Sequence, residues 1–170
     1  MRKIVCISGS ASNTSSNSEL LKLIQTEFPS EYEFVIYSKL NSLPLFTADQ
    51  LKSGCPKEVQ ELKSLIEKAD AVIISTPEYL HNIPAVLKNA LEWMTESGEL
   101  TDKPVLPITF TPTSPRGEYA MKSLIQSLKA IKAKIVVELP LYRSECHLRN
   151  GKFALSRQQK EMLEAAISLL

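Results

Sequence analysis

Five short runs of strand-forming residues alternate along this chain with stretches of helical periodicity, and that alternation leaves few folds open to it. Lys3 to Ile7 is an apolar, β-branched run ending in Ser8-Gly9-Ser10. Leu20, Leu23, Ile24 and Phe28 then recur at helical spacing, with Pro29 closing the helix. Tyr32 to Tyr37 is rich in strand formers. A loop with Pro44 and Gly54 leads to a helix carrying Val59, Leu62, Leu65 and Ile66. Ala71 to Ser75 is apolar at consecutive rather than alternate positions, the pattern of a strand buried on both faces. A helix follows on Ile83, Val86, Leu87, Ala90, Leu91 and Met94. After it come a strand over Val105 to Phe110, a helix over Ala120 to Ile131, a strand over Ile135 to Leu139 and a final helix over Arg157 to Leu170. Strand–helix units in series imply right-handed crossovers and a parallel, doubly wound sheet with helices on both faces. Pro107 sits inside the fourth strand, where it removes a ladder donor, so that strand is expected to begin late or to be distorted there.

With 170 residues, 44% hydrophobic and 23% charged, the chain is sized for a single domain, residues 1–170. A net charge of +1 gives no long-range field to draw in nucleic acid or an anionic membrane. No apolar run is long enough to span a bilayer, and the one after Arg2-Lys3 stops at Ser8-Gly9, too early for a signal peptide; a cytoplasmic location is expected. Cys6, Cys55 and Cys146 lack paired spacing, so neither a disulfide framework nor a zinc site is indicated. Cys6 reads as core packing.

Doubly wound sheets bind ligands beyond the carboxyl ends of their strands, where the strand order reverses. The loops after strands one, three and four all carry unusual residues. The first, Ser8 to Ser18, is a run of small hydroxyl and amide side chains leading into a helix. Free N–H groups and partial positive charge at a helix N-terminus suit a phosphate, and hydroxyls add donors without bulk. Ser16 and Glu19 also have capping-box spacing, which would make this an ordinary polar cap. It has neither a dinucleotide glycine fingerprint nor a P-loop. In the second loop, Asn82 is suited to cap the following helix and Pro84 to its first turn. Tyr79 offers a ring to pack against another ring, and His81 a titratable group or an ordinary exposed side chain. Trp93 reads as helix packing or an oligomer contact. In the third loop, Thr111 to Gly117, small residues again precede a helix.

Gly9-Ser10 with Ser15 and Asn17 is similar to the phosphate loop Gly-Ser-x-Arg-x-x-Ser-x-Asn of the NAD(P)H-dependent FMN reductases. Pro77-Glu78-Tyr79, then Pro84 and Leu87-Lys88-Asn89-Ala90-Leu91-Glu92-Trp93, resembles that family's central signature more closely still. Thr111-Pro112-Thr113 with Gly117 through Leu124, and Asn150-Gly151-Lys152, resemble its later turns loosely. The resemblance implies a flavodoxin-like five-stranded parallel sheet of order 2-1-3-4-5, FMN held non-covalently, NADPH or NADH as co-substrate, and a homodimer or homotetramer. By the same resemblance Ser10, Ser12, Ser15, Ser16 and Asn17 would hold the phosphate. Pro77, Glu78, Tyr79, Leu80 and His81 would line the ring edge, and Thr111 and Gly117 would close the far side. The chain departs from the pattern where Ser12 replaces the loop arginine, removing a charge-assisted contact, where Leu80 replaces an asparagine, and in the third loop, which has lost most of the family's glycines.

The function expected is therefore an FMN-dependent oxidoreductase passing hydride from NAD(P)H to a quinone, flavin or azo compound, with the redox chemistry supplied by the flavin itself. Arg116 is a candidate for the NADPH phosphates. Two alternatives remain: an interaction module with a weak or vestigial FMN pocket, for which Ser12 and Leu80 speak, and a flavodoxin-type electron carrier, against which the near-neutral charge speaks.

Overall fold

A computed structural model describes residues 1–12, 14–28, 32–149 and 152–170. The expected stop at Pro29 and the Asn150-Gly151 turn lie outside the described residues. Strands β1 (Arg2–Ser8), β2 (Tyr32–Tyr37), β3 (Ala71–Thr76), β4 (Pro104–Thr111) and β5 (Lys134–Ile135) form a parallel sheet in the order β2-β1-β3-β4-β5, the flavodoxin-like order. A further strand, β6 (Leu139–Tyr142), pairs with the far half of β4, and a hairpin of β7 (His147–Arg149) and β8 (Lys152–Ala154) stands apart from the sheet. The helices are α1 (Ser16–Glu27), a short α2 (Ala48–Ser53), α3 (Lys57–Glu67), α4 (Ala85–Glu92), α5 (Glu118–Ala130) and α6 (Arg157–Ile167).

Alternate residues of the central strands face opposite sides, and each side is covered. Val5, Ile7, Val72, Ile74 and Val105 pack with Val59, Leu62 and Ile66 of α3, Leu87 and Leu91 of α4 and Leu124 and Leu128 of α5. Ile4, Cys6, Ile73, Leu106, Ile108 and Phe110 pack with Leu20 and Ile24 of α1 and Leu163 and Ile167 of α6. This explains the consecutive apolar run in β3, every residue of which is buried. Full burial is worth about 1.5–3 kcal/mol for each such aliphatic side chain. Cys6 belongs to this core: burial pushes its thiol up to about 12, so it is a small apolar packing group at neutral pH.

The structure corrects the reading of Pro107. β4 runs unbroken through it, with Pro107 opposite Ile74 of β3. The carbonyl of Val105 accepts from Val136 N–H at 3.0 Å, so the N atom of Pro107, two residues on, points to that same outer side. There the register shifts by one residue: Val105 lies opposite Ile135, but Ile108 opposite Leu139. The donor that proline lacks thus faces a bulge-like break, where no ladder bond is required. The same break divides the strand expected over Ile135 to Leu139 into β5 and β6. The final helix also ends earlier than expected, at Ile167, followed by a turn that buries Leu170.

Candidate functional site

The loops after β1, β3 and β4 converge beside the reversal of strand order between β1 and β3, around a cleft of about 260 Å³. Its walls are Ser10, Ser15, Ser16 and Asn17 from the first loop, Pro77, Glu78 and Tyr79 from the second, and Phe110, Thr111, Pro112 and Arg116 from β4 and the third. Arg143, which follows β6, completes it. Ser12, Leu80, His81 and Gly117 do not line this cleft.

The first loop is held by its own hydroxyls. Ser15, not Ser16, is the N-cap of α1, its Oγ accepting from Ser18 N–H at 3.1 Å, so the Ser16–Glu19 capping box that the spacing allows does not form. Ser18 Oγ lies 2.9 Å from Ser8 Oγ and 3.0 Å from Ser15 Oγ, and donates to the Ser12 carbonyl. Asn17 is buried and ties three elements together: its Oδ1 accepts from Ser75 Oγ at 2.7 Å and its Nδ2 donates to the Phe110 carbonyl at 3.3 Å. Gly9 permits the crowding behind the loop, since a Cβ there would sit 2.9 Å from Leu87 Cδ2 and 3.0 Å from Thr76 Oγ1.

The second loop is a tight reversal. Tyr79 and Asn82 exchange two backbone bonds, of 3.0 and 2.9 Å, across Leu80 and His81, whose φ angles are 50° and 58°. Two successive left-handed residues suit Asn and Gly; leucine adopts this conformation at a cost of about 1–2 kcal/mol. The asparagine of the family pattern thus matches the backbone that Leu80 occupies under strain. Leu80→Asn is expected to raise unfolding stability by about 1 kcal/mol in urea titrations; a loss of stability would contradict the strain argument. Glu78 points its carboxylate to the start of α5, where Oε2 accepts from Tyr119 and Ala120 N–H, both at 3.0 Å, and Oε1 lies 3.7 Å from His81 Nδ1. An anion at the positive end of a helix is favourably placed. Asn82 does not cap α4; Pro84 occupies the N-cap, and Asn82 Oδ1 accepts from Ile83 N–H and Ser123 Oγ. In the third loop, Thr111 Oγ1 donates to the Arg116 carbonyl at 2.7 Å. Gly117 serves α5 by its left-handed φ of 105° and its closeness to Thr109, not the cleft wall.

Trp93 is fully buried in the core beside α4. Arg143 carries no motif in the sequence, because it reaches the cleft only through the pairing of β6 with β4.

A family model described as NADPH-dependent FMN reductase matches residues 2–145. The chain belongs to that family. It is 45% identical over 104 residues to the NADH:(hydroxy)cinnamate reductase subunit CrdA of Vibrio ruber, covering 60% of this chain and 50% of that protein. It is 34% identical over 107 residues to a quinone reductase of Escherichia coli, covering 61% of this chain and 57% of that one. The chain thus matches about half the length of these two curated relatives. Its fold is similar to that of FerB, a flavoenzyme NAD(P)H:(acceptor) oxidoreductase from Paracoccus denitrificans, with a TM-score of 0.83 at 24% identity over 99% of this chain and 95% of that one. Among the described residues, no helix of this family member is long and apolar enough to cross a membrane.

Proposed function

We propose that this chain binds FMN in the three-loop cleft and uses it to pass hydride from NADPH or NADH to a small acceptor such as a quinone, a flavin or an azo compound. Membership of the family and the reductase relatives support the activity. The observation that carries the reading is the chemistry of the cleft: hydroxyls and the free N–H groups of the α1 N-terminus at one end, and the Tyr79 reversal beside it. These donors fit a phosphate tail, and the half-exposed Tyr79 ring fits one side of a flat ring system.

When bound, FMN supplies the redox chemistry, accepting and returning hydride. The chain's own residues have other work. Ser10, Ser15 and Ser16, with the first turn of α1, hold the phosphate. Asn17 acts from behind, fixing that turn against β3 and β4. Pro77, Glu78 and Tyr79 set the ring edge through backbone groups, since the Glu78 carboxylate is committed to α5. Thr111 shapes the opposite wall, and Arg116 offers a cation to the nicotinamide co-substrate. Ser12, Leu80, His81 and Gly117 act indirectly or at the rim. Leu80, Tyr79 and Tyr119 are exposed together near the opening, which supports a homodimer or homotetramer in which a second copy covers this side. The assembly is cytoplasmic, and residues 1–170 act as a single flavodoxin-like domain.

The test is a flavin titration followed by turnover. FMN added to the purified protein is expected to lose fluorescence on binding, and the loaded protein to oxidise NADPH or NADH when a quinone is supplied. FMN binding with no nicotinamide oxidation would favour an electron carrier; no binding at high FMN would leave an interaction module.

A further inference from the structure

The first loop presents the dianionic end of FMN with neutral groups alone. Ser12 stands where the family pattern has arginine, lies off the cleft wall, and has its Oγ 3.2 Å from Thr14 Oγ1. Hydroxyls and backbone N–H groups bond a phosphate without bringing a full positive charge, whereas an arginine adds that charge and a planar fork that can bond two phosphate oxygens at once. A cation does reach this end of the cleft, from another part of the chain. Arg143 follows β6, and its Nη1 lies 3.5 Å from the Oγ of Ser16, the first residue of α1.

Three features hold Arg143 there. The N–H of Ser144 donates to the Pro112 carbonyl at 2.9 Å, pinning the turn to the third loop. The guanidinium lies 6.0 Å from the centre of the Phe153 ring, within cation–π range. Phe153 is itself packed on Phe110 at 5.5 Å, so the small β7–β8 hairpin acts as a bracket for the arginine. Among the described residues no carboxylate lies within 4 Å of Arg143, so no ion pair neutralises its charge. Arg116, the other arginine of the cleft, belongs to the loop before α5 rather than to the opening of α1.

Resting on the reading that the cleft binds FMN, we infer that Arg143 is the phosphate-binding cation of this protein, taking the part left vacant by Ser12. The charge is delivered from the carboxyl end of the outermost strand instead of from the first loop.

FMN and riboflavin share the ring and differ in the phosphate, so their affinities separate this contact from a general effect on the cleft. Dissociation constants for both are measured by fluorescence quenching on the whole chain, for the wild type, Arg143→Met, Arg143→Lys and the double variant Ser12→Arg/Arg143→Met. Arg143→Met is expected to weaken FMN about tenfold or more while leaving riboflavin within about twofold. Arg143→Lys retains part of the preference for FMN, and Ser12→Arg in the Met background recovers most of it. The wild-type preference also shrinks as salt is raised. An equal loss for both flavins in Arg143→Met, or an unchanged FMN affinity, overturns the assignment and leaves the flavin reading standing. A wild type that binds neither flavin overturns both.

Discussion

Trp93→Ala is expected to lower the stability of the chain by about 4 kcal/mol. Trp93 is wholly buried, and its ring meets Phe46 edge-on at 5.2 Å with an interplanar angle of 89°. Its indole N–H donates to the Pro44 carbonyl at 2.9 Å. Removing the ring opens a cavity between the end of α4 and the 44–46 segment and deletes that bond. Asn89 limits the damage, since its Nδ2 also donates to the Pro44 carbonyl and its Oδ1 accepts from Phe46 N–H. Trp93→Phe keeps most of the packing and is expected to cost about 1–2 kcal/mol, chiefly the indole hydrogen bond and the loss of fit. For a chain of this length, the larger loss lowers the melting temperature by roughly 12 °C. Trp93 is the one tryptophan in the sequence, so far-UV circular dichroism must follow the transition. A loss below about 1 kcal/mol would mean that the staple between α4 and Pro44 does not form.

The second large effect is expected at Asn17. Asn17→Ala deletes the acceptor of the Ser75 hydroxyl and the donor to the Phe110 carbonyl, both in the interior. A buried polar group left without a partner costs about 1–3 kcal/mol, so two together bring the expected loss to about 3 kcal/mol. The consequence for binding follows from what Asn17 joins. It fixes the opening of α1 against the ends of β3 and β4, the three elements whose loops form the cleft. Relaxing that joint is expected to weaken FMN and riboflavin together, about tenfold, unlike the phosphate-selective loss at Arg143. Urea unfolding and paired flavin titrations check both parts. A variant of full stability, or one that loses affinity for FMN alone, would refute the placement of Asn17 as a joint.

The division of labour between Asn17 and Arg143 also marks how far the sequence can be read. Consecutive burial in Ala71 to Ser75 and the spacing of Val59, Leu62 and Ile66 follow from local patterns, and the structure carries them as β3 and α3. The three loops were legible for a related reason: strand order places them at one end of the sheet, and their small residues and prolines mark them. Features that depend on distant pairing were not. Pro107 looks wrong for a central strand until the register break opposite it is known. Glu78 reads as part of a ligand-facing motif, yet its carboxylate serves the helix that begins forty residues later. Arg143 has no pattern around it, because the hairpin and the Pro112 contact that aim it come from elsewhere in the chain. Hydroxyl networks such as that around Ser18 are likewise invisible where serines are abundant.

The break between β5 and β6 has a bearing on solubility as well. The outer border of a sheet offers unpaired amide and carbonyl groups on which a strand from another molecule can grow. Here that border is made of a two-residue piece and a four-residue piece offset by one position, the second carrying Pro140. An incoming strand would lose register at the offset and meet a residue with no N–H beyond it. The irregularity that accommodates Pro107 thus also makes this side of the molecule a poor seed for aggregation.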